Sequence, residues 1–284
     1  MNADIHTLIR SEFYELIDFK CRCSECTKSK TEYQETFSIC FIRTGNFHFN
    51  IFRNSLDAYS GLILVNKPGY EYTVTHLAKM PDECYIFRFK NDFYEKMKDD
   101  LNLKRHWFFS NENMQSLVLK TVPEIECILM AVLNSTDSKL LHKLALESMI
   151  TEMLQGVLDL MTDYSAPQRV TTQLKKNHLK TIEWAKEYIN KNFASDISLL
   201  ELANHCCISP FHFSRIFKMF TDYSPGQYLQ YIRLKHAELM LKTTSLPVID
   251  IAFSSGFNSI DYFSSAFKKQ YKVAPSLYRT GTLA

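Results

Sequence analysis

Three cysteines fall within six residues, in the stretch CRCSEC at positions 21–26. Thiolates at this spacing hold soft or borderline metal ions, and C-x-x-C suits one tetrahedral ion. Cys21 and Cys23 share a face if IDFKCRC is a strand, and Cys26 can turn back towards Cys23. Three thiolates leave a fourth ligand to find. His76 and Cys84 flank the turn signal Met80-Pro81-Asp82, and sheet pairing would bring them alongside. The spacing therefore predicts zinc on Cys23, Cys26, His76 and Cys84, with Cys21 able to replace one of them. Two other readings of these thiols stay open: a redox or electrophile sensor, or no special role within a β domain. Cys40 and Cys127 sit in apolar runs and read as core, while Cys206-Cys207 read as packing at a turn.

Other catalytic chemistry finds little footing. No nucleophile motif, P-loop or dinucleotide-binding turn is present, and seven glycines in 284 residues leave little room for one. A metal-dependent β-barrel enzyme would carry two histidines one residue apart, then a Glu and a further His. His48 and His76 have no such companions. A non-enzymatic protein is expected. The longest apolar runs fall short of the roughly 18 residues of a membrane span. The opening MNADIHTLIRSEFYEL lacks the apolar core of a secretory leader. The expectation is a cytoplasmic protein without membrane contact, where stable disulfides are not anticipated.

The hydrophobic content of 46% and charged content of 23% are those of a globular chain long enough for two domains. The first ninety residues read as short strands. FSICFIRTGNFHFNIF (37–52) predicts a hairpin around Thr44-Gly45-Asn46, and GLILVNKPGYEYTVTHL (61–77) another around Asn66-Lys67-Pro68-Gly69. ECYIFRF (83–89) predicts a further strand, and the whole a small β-sandwich or barrel. After Asn91 the apolar period becomes helical. Pro123 opens one helix, and residues 138–161 carry a stripe of Leu140, Leu141, Leu144, Met149, Met153, Leu154, Val157, Leu158 and Met161. Such a stripe is core packing or an intersubunit seam. Polar residues 162–177 read as a linker.

The last hundred residues contain an internal repeat. Ala203 matches Ala252 at a separation of 49; Phe213-Ser214, Phe217-Lys218, Pro225 and Tyr228 match Phe263-Ser264, Phe267-Lys268, Pro275 and Tyr278 at 50. Each copy predicts a short helix, a turn, and an amphipathic second helix, that is, a helix-turn-helix. Phe213, Ile216, Phe217 and Phe220 form one buried stripe, and Tyr262, Phe263, Ala266, Phe267 and Tyr271 the other. Ser209, and Asn258 or Ser259, are the expected caps. Between the copies, residues 224–244 predict a helix of roughly 27 Å, stiff enough to hold two recognition helices about one DNA turn apart. From Leu174 onward there are fourteen Lys and Arg against eight Asp and Glu, in keeping with a nucleic-acid module.

These residues carry a resemblance. LANHCCISPFHFSRIFKMFTDYSPGQYLQYIRLKHAELML and IDIAFSSGFNSIDYFSSAFKKQYKVAPSLYR are similar to the DNA-binding domain of AraC/XylS-type bacterial transcription regulators, over about residues 178–279. The resemblance implies an α+β chain. A cupin-like β-barrel sensor (1–90) would be followed by a helical extension (91–165) with dimerisation helices. A linker (166–177) would lead to an all-α domain (178–284) with two helix-turn-helix units joined by a long helix. It implies double-stranded DNA and RNA polymerase as partners, a small-molecule effector, and a homodimer.

Carried over position by position, the first unit would present Phe211, Ser214 and Arg215 to bases, with His212 and Lys218 on phosphate. Arg215 can donate two bonds to one guanine. The matching surface of the second unit is Ile260, Asp261, Ser264 and Ser265, with Lys268 and Lys269 as anchors. Many family members have Arg where Ser265 stands, and Asp261 would oppose phosphate. The first unit is therefore expected to supply most of the discrimination. Alternatives are a DNA-repair protein accepting alkyl groups at a metal-bound thiolate, and a regulator controlled by abundance alone.

Overall fold

A computed structural model describes residues 3–23, 28–77, 81–137, 143–167 and 169–281. Cys26, Met80, Leu140, Leu141 and Gln168 lie outside the described residues. The chain divides into two compact units that are not simple halves of the sequence. One comprises residues 1–121 and 134–183, the other Val122–Leu133 and Trp184–Ala284.

The described residues of the first unit form ten strands: β1 (Ala3–Arg10), β2 (Tyr14–Cys21), β3 (Glu32–Gln34), β4 (Phe37–Thr44), β5 (Asn46–Ile51), β6 (Asn54–Tyr59), β7 (Leu62–Asn66), β8 (Tyr70–His76), β9 (Glu83–Phe89) and β10 (Ser116–Lys120). They form two antiparallel sheets, in the orders β1-β2-β9-β4-β7-β10 and β3-β8-β5-β6. Neither expected hairpin forms. β4 pairs with β9 and β7, while β5 pairs with β6 and β8, so the chain changes sheet at Gly45. It changes sheet again between β7 and β8. Gly45 has φ +103, and a Cβ there would lie 2.7 Å from Asp82 Cα. Only glycine fits that corner. The true hairpin joins β5 to β6 through Phe52, whose φ is +49.

The helices are α1 (Asn91–Asp100), α2 (Trp107–Ser110), α3 (Pro123–Asp137), α4 (Lys143–Thr162), α5 (Thr172–Asn192), α6 (Leu199–His205), α7 (Pro210–Thr221), α8 (Pro225–Thr243), α9 (Val248–Ser254), α10 (Ile260–Tyr271) and α11 (Pro275–Arg279). The α+β class is as expected, with antiparallel sheets first and helices after. The boundaries differ. β10 adds a sheet strand beyond residue 90, by pairing with β7. The expected linker ends early, since α5 begins at Thr172. On α4, Met149, Met153, Leu154, Val157, Leu158 and Met161 are buried within the chain itself, while Leu144 is 83% exposed. Those six are core, with the Trp107 indole donating to the Met161 carbonyl at 2.8 Å.

In the second unit α6–α7 and α9–α10 are the two helix-turn-helix pairs, with the 19-residue α8 between them. α8 starts on a capping box, Ser224 accepting from Gln227 N–H while the Gln227 side chain accepts from Ser224 N–H. Such caps contribute about 1 kcal/mol. Val122–Leu133 belongs here too. On α3, Glu126 accepts from the Tyr228 hydroxyl and pairs with Lys186, and Ile125, Cys127, Ile128 and Val132 are buried. The reason is chemical: an apolar stripe flanking one carboxylate matches a tyrosine and a lysine on helices far along the sequence.

Candidate nucleic-acid interface

On α7, burial of Phe213, Ile216, Phe217 and Phe220 turns Phe211, Arg215 and Lys218 outward. These recur at helical spacing along one stripe. Phe211 is 82% exposed; His212 and Ser214 are half-buried at its edge. Arg215 Nη2 lies 3.5 Å from His212 Nδ1. Pro210 occupies the first turn. Ser209 has the extended backbone of a cap, yet its side chain makes no capping bond, contrary to expectation.

α10 repeats the layout fifty residues on. Phe263, Ala266 and Phe267 are buried, and Asp261, Ser265, Lys268 and Lys269 are exposed beside half-buried Ser264. Two assignments change. Ile260 is half-buried and packs against the core of the second unit instead of standing clear on the outer stripe. It lies one turn before Phe263, on the same row. Tyr262, expected in the core, is 58% exposed, and its hydroxyl accepts from Gln230 at 3.1 Å. One residue from Phe263 means about 100° around the helix, which carries Tyr262 onto the outer stripe. It takes the place that His212 holds in the first helix-turn-helix. Asp261 sits in the first turn of α10, where the helix dipole favours a negative charge. Ser259 caps α10, accepting from Tyr262 N–H at 3.3 Å.

The turns obey the same repeat. Gly256 has φ +84, and a Cβ would meet the Phe193 carbonyl at 2.6 Å and Arg233 Nε at 2.8 Å. Arg233 donates to the carbonyls of Phe193 and Ser195, both at 2.7 Å, which locks that turn. Forty-nine residues earlier Cys207 holds φ +58 without being glycine. Asp222 and Lys272, fifty apart, end α7 and α10 in the left-handed region. Beneath the second helix-turn-helix, Glu238 is 1% exposed and pairs with Lys235 at 2.7 Å and with Lys242, and it accepts from Tyr278 at 2.6 Å. Burial would raise this carboxyl, but its lysine and tyrosine partners outweigh it and hold the group below the usual range.

The cysteine cluster is arranged differently from the expected zinc tetrad. Cys23 is disulfide-bonded, contrary to the expectation of reduced thiols, and so offers no thiolate. Cys26 lies outside the described residues. Cys21, His76 and Asp82 instead converge, all buried. Cys84 donates towards Asp82 Oδ2 at 3.8 Å. A hydrogen bond with Cys40 and burial push the Cys84 thiol up; burial alone is the main cause for Cys21. Asp82 escaped sequence reasoning, which sought Cys and His at fixed spacings. Its place between His76 and Cys84, at a turn, was the available signal.

Two helix-turn-helix pairs, each showing an exposed stripe that carries two basic side chains, define a DNA-binding protein with a duplicated reading head. A helix-turn-helix domain family matches residues 202–281. The activator AarP of Providencia stuartii is 35% identical over 92 residues, 32% of this chain and 68% of AarP. The chain belongs to the AraC/XylS family of helix-turn-helix regulators. Regulatory protein PocR of Salmonella typhimurium strain LT2 is 26% identical over 196 residues, 69% of this chain and 62% of PocR. The bifunctional transcriptional activator/DNA repair enzyme AdaA of Bacillus subtilis strain 168 is 35% identical over 100 residues, 34% of this chain and 47% of AdaA. The chain thus spans about half the length of these last two relatives.

Proposed function

We propose that the chain is a sequence-specific, effector-responsive transcription activator that works on double-stranded DNA in the cytoplasm and catalyses no reaction. The observation that carries this reading is the duplicated exposed stripe, Phe211-Arg215-Lys218 on α7 and Ser265-Lys268-Lys269 on α10. Arg215 reads a base edge, with guanine the natural match for two parallel donors. His212, Lys218, Lys268 and Lys269 grip phosphate, which sets register but carries no sequence information. The word activator in the names of AarP and AdaA supports RNA polymerase as a second partner. A cleft of about 420 Å³ in the first unit, lined by Glu15, Glu32, Tyr72 and Arg88 among others, offers a small effector both an acid and a guanidinium. A homodimer would rest on the first unit, through residues other than the buried α4 stripe.

Alkyl transfer is the weaker reading. An acceptor thiolate must meet damaged DNA, whereas Cys21 and Cys84 are buried and their thiols are pushed up. Control by abundance alone would leave DNA binding indifferent to metabolites.

The test uses the full chain, with an operator obtained by selection from random duplexes. Affinity should fall linearly with the logarithm of salt concentration, by about 0.9 in slope per phosphate neutralised. Lys268→Ala should lower that slope by about one while weakening all sequences alike. Arg215→Ala should cost about 1–3 kcal/mol on the operator and relax preference at one base pair. Salt-independent binding would sink the reading. So would an Arg215→Ala protein that keeps its preference while Ser264→Ala or Ser265→Ala loses it, as far as the division of labour is concerned.

A further inference from the structure

We propose that Cys21, His76 and Asp82 form a buried zinc site that ties the two sheets of the first unit together. One ligand atom from each lies within 4.8 Å of the others, and the residues are 4%, 8% and 4% exposed. Among the described residues this is the one such cluster of three. A tetrahedral zinc with bonds of about 2.0–2.3 Å sets its ligands about 3.3–3.8 Å apart. The cluster needs only a small adjustment to reach that spacing. Charge is the stronger argument. A carboxylate, a thiolate and a neutral imidazole sum to two negative charges, which one zinc ion cancels in a site away from water. Without such an ion the carboxylate is buried against His76 Nε2 at 2.5 Å and the weak Cys84 S–H donor at 3.8 Å, and His76 Nδ1 is buried with no hydrogen-bond partner among the described residues. Buried polar atoms left so are costly.

The three ligands come from separate elements that the fold fixes. Cys21 ends β2, and its N–H donates to the Asp82 carbonyl at 2.9 Å. Asp82 lies in the β8–β9 connection, pressed against Gly45 where no side chain fits. His76 ends β8 in the other sheet, opposite Phe47, whose ring it meets edge-on at 6.5 Å. Supporting donors are in place: Cys23 N–H points at Cys21 Sγ at 3.4 Å, and Cys84 S–H at Asp82 Oδ2. Such partners orient ligands and favour the metal-bound form. Three protein ligands leave a fourth coordination position. A thiolate, an imidazole and a carboxylate suit zinc better than the hard cations calcium or magnesium.

The experiment titrates the full-length, tag-free protein, stripped with chelator and kept under a phosphine reductant, with cobalt and then zinc. Cobalt should bind at one equivalent with a thiolate-to-metal charge-transfer band, and zinc should displace it and raise the unfolding midpoint. Cys21→Ser should lose the band and the zinc-dependent shift. Asp82→Asn, which keeps the shape, should weaken binding at least tenfold. Cys84→Ser, whose hydroxyl can still donate to Asp82, should bind one equivalent with its band intact, though more weakly. Absence of the band and of any zinc-dependent shift in the unsubstituted protein would overturn the site, whatever the variants do. So would a band that survives Cys21→Ser but is abolished by Cys23→Ser or Cys26→Ser, which would assign the ion to the C-x-x-C thiols instead.

Discussion

At the scale of single residues, the two turns at Cys207 and Gly256 pose one problem with two solutions. Both need a left-handed backbone, which costs a side-chain-bearing residue about 1–2 kcal/mol. At Gly256 the surroundings forbid a Cβ outright. Gly256→Ala should therefore destabilise the second unit by well over 1 kcal/mol, read from the denaturant midpoint. Cys207→Gly should change stability by about 1 kcal/mol or less, in the stabilising direction, because relieved strain slightly exceeds the added chain entropy. A Gly256→Ala protein as stable as the parent would contradict the packing described. The sequence repeat makes Gly256 legible as a turn residue. It hides Cys207, because a cysteine there suggests packing or chemistry before it suggests backbone strain. Tyr262 and Ile260 exchanged faces for a related reason: at the first turn of a helix the apolar period has too few members to fix its phase.

Among the elements, helices were far more legible than strand partners. The period of 3.6 and the fifty-residue repeat are local signals, and both survive into α6–α11. The glycines at 45 and 69 show where the chain turns, but a positive φ does not say which strand it turns towards. Pairing is decided by packing across the sequence, which no window of ten residues contains. β10 escaped for the same reason: SLVLK is a strand only because β7 offers it an edge. α3 is the clearest non-local case. Its Glu126 holds Lys186 and Tyr228, and burial together with that carboxylate pushes the Tyr228 hydroxyl well up. Glu126→Ala should destabilise the second unit by about 3 kcal/mol, since it leaves a lysine and a buried hydroxyl without their acceptor. Glu126→Gln, able to accept from the tyrosine, should cost less. Equal losses in the two variants would show that charge and hydrogen bond are not what α3 contributes.

For the whole molecule, the second unit carries a built-in sensitivity to acid. His236 stacks on Phe193 with ring centroids 3.8 Å apart, and burial lowers it from 6.5 to about 4. Between those values the unfolded chain binds a proton that the folded chain refuses, so stability is lost as pH falls through that window. The loss for this group is about 1–3 kcal/mol. Glu238, held low by its lysines, works in the same direction at lower pH. His236→Phe keeps the stacking and removes the proton. It should flatten the dependence of the denaturant midpoint between pH 6.5 and 4. An unchanged slope would locate the sensitivity elsewhere.

The allotment of Val122–Leu133 to the second unit bears on how such a protein can be rearranged. A chimera made by one crossover in the 162–177 stretch would inherit a DNA reader missing one of its own helices, with Tyr228 and Lys186 facing a stranger's residue in place of Glu126. Two crossovers, or a matched α3 carried along with the C-terminal segment, are needed to transplant the reader intact. The portable module of this protein is a discontinuous one.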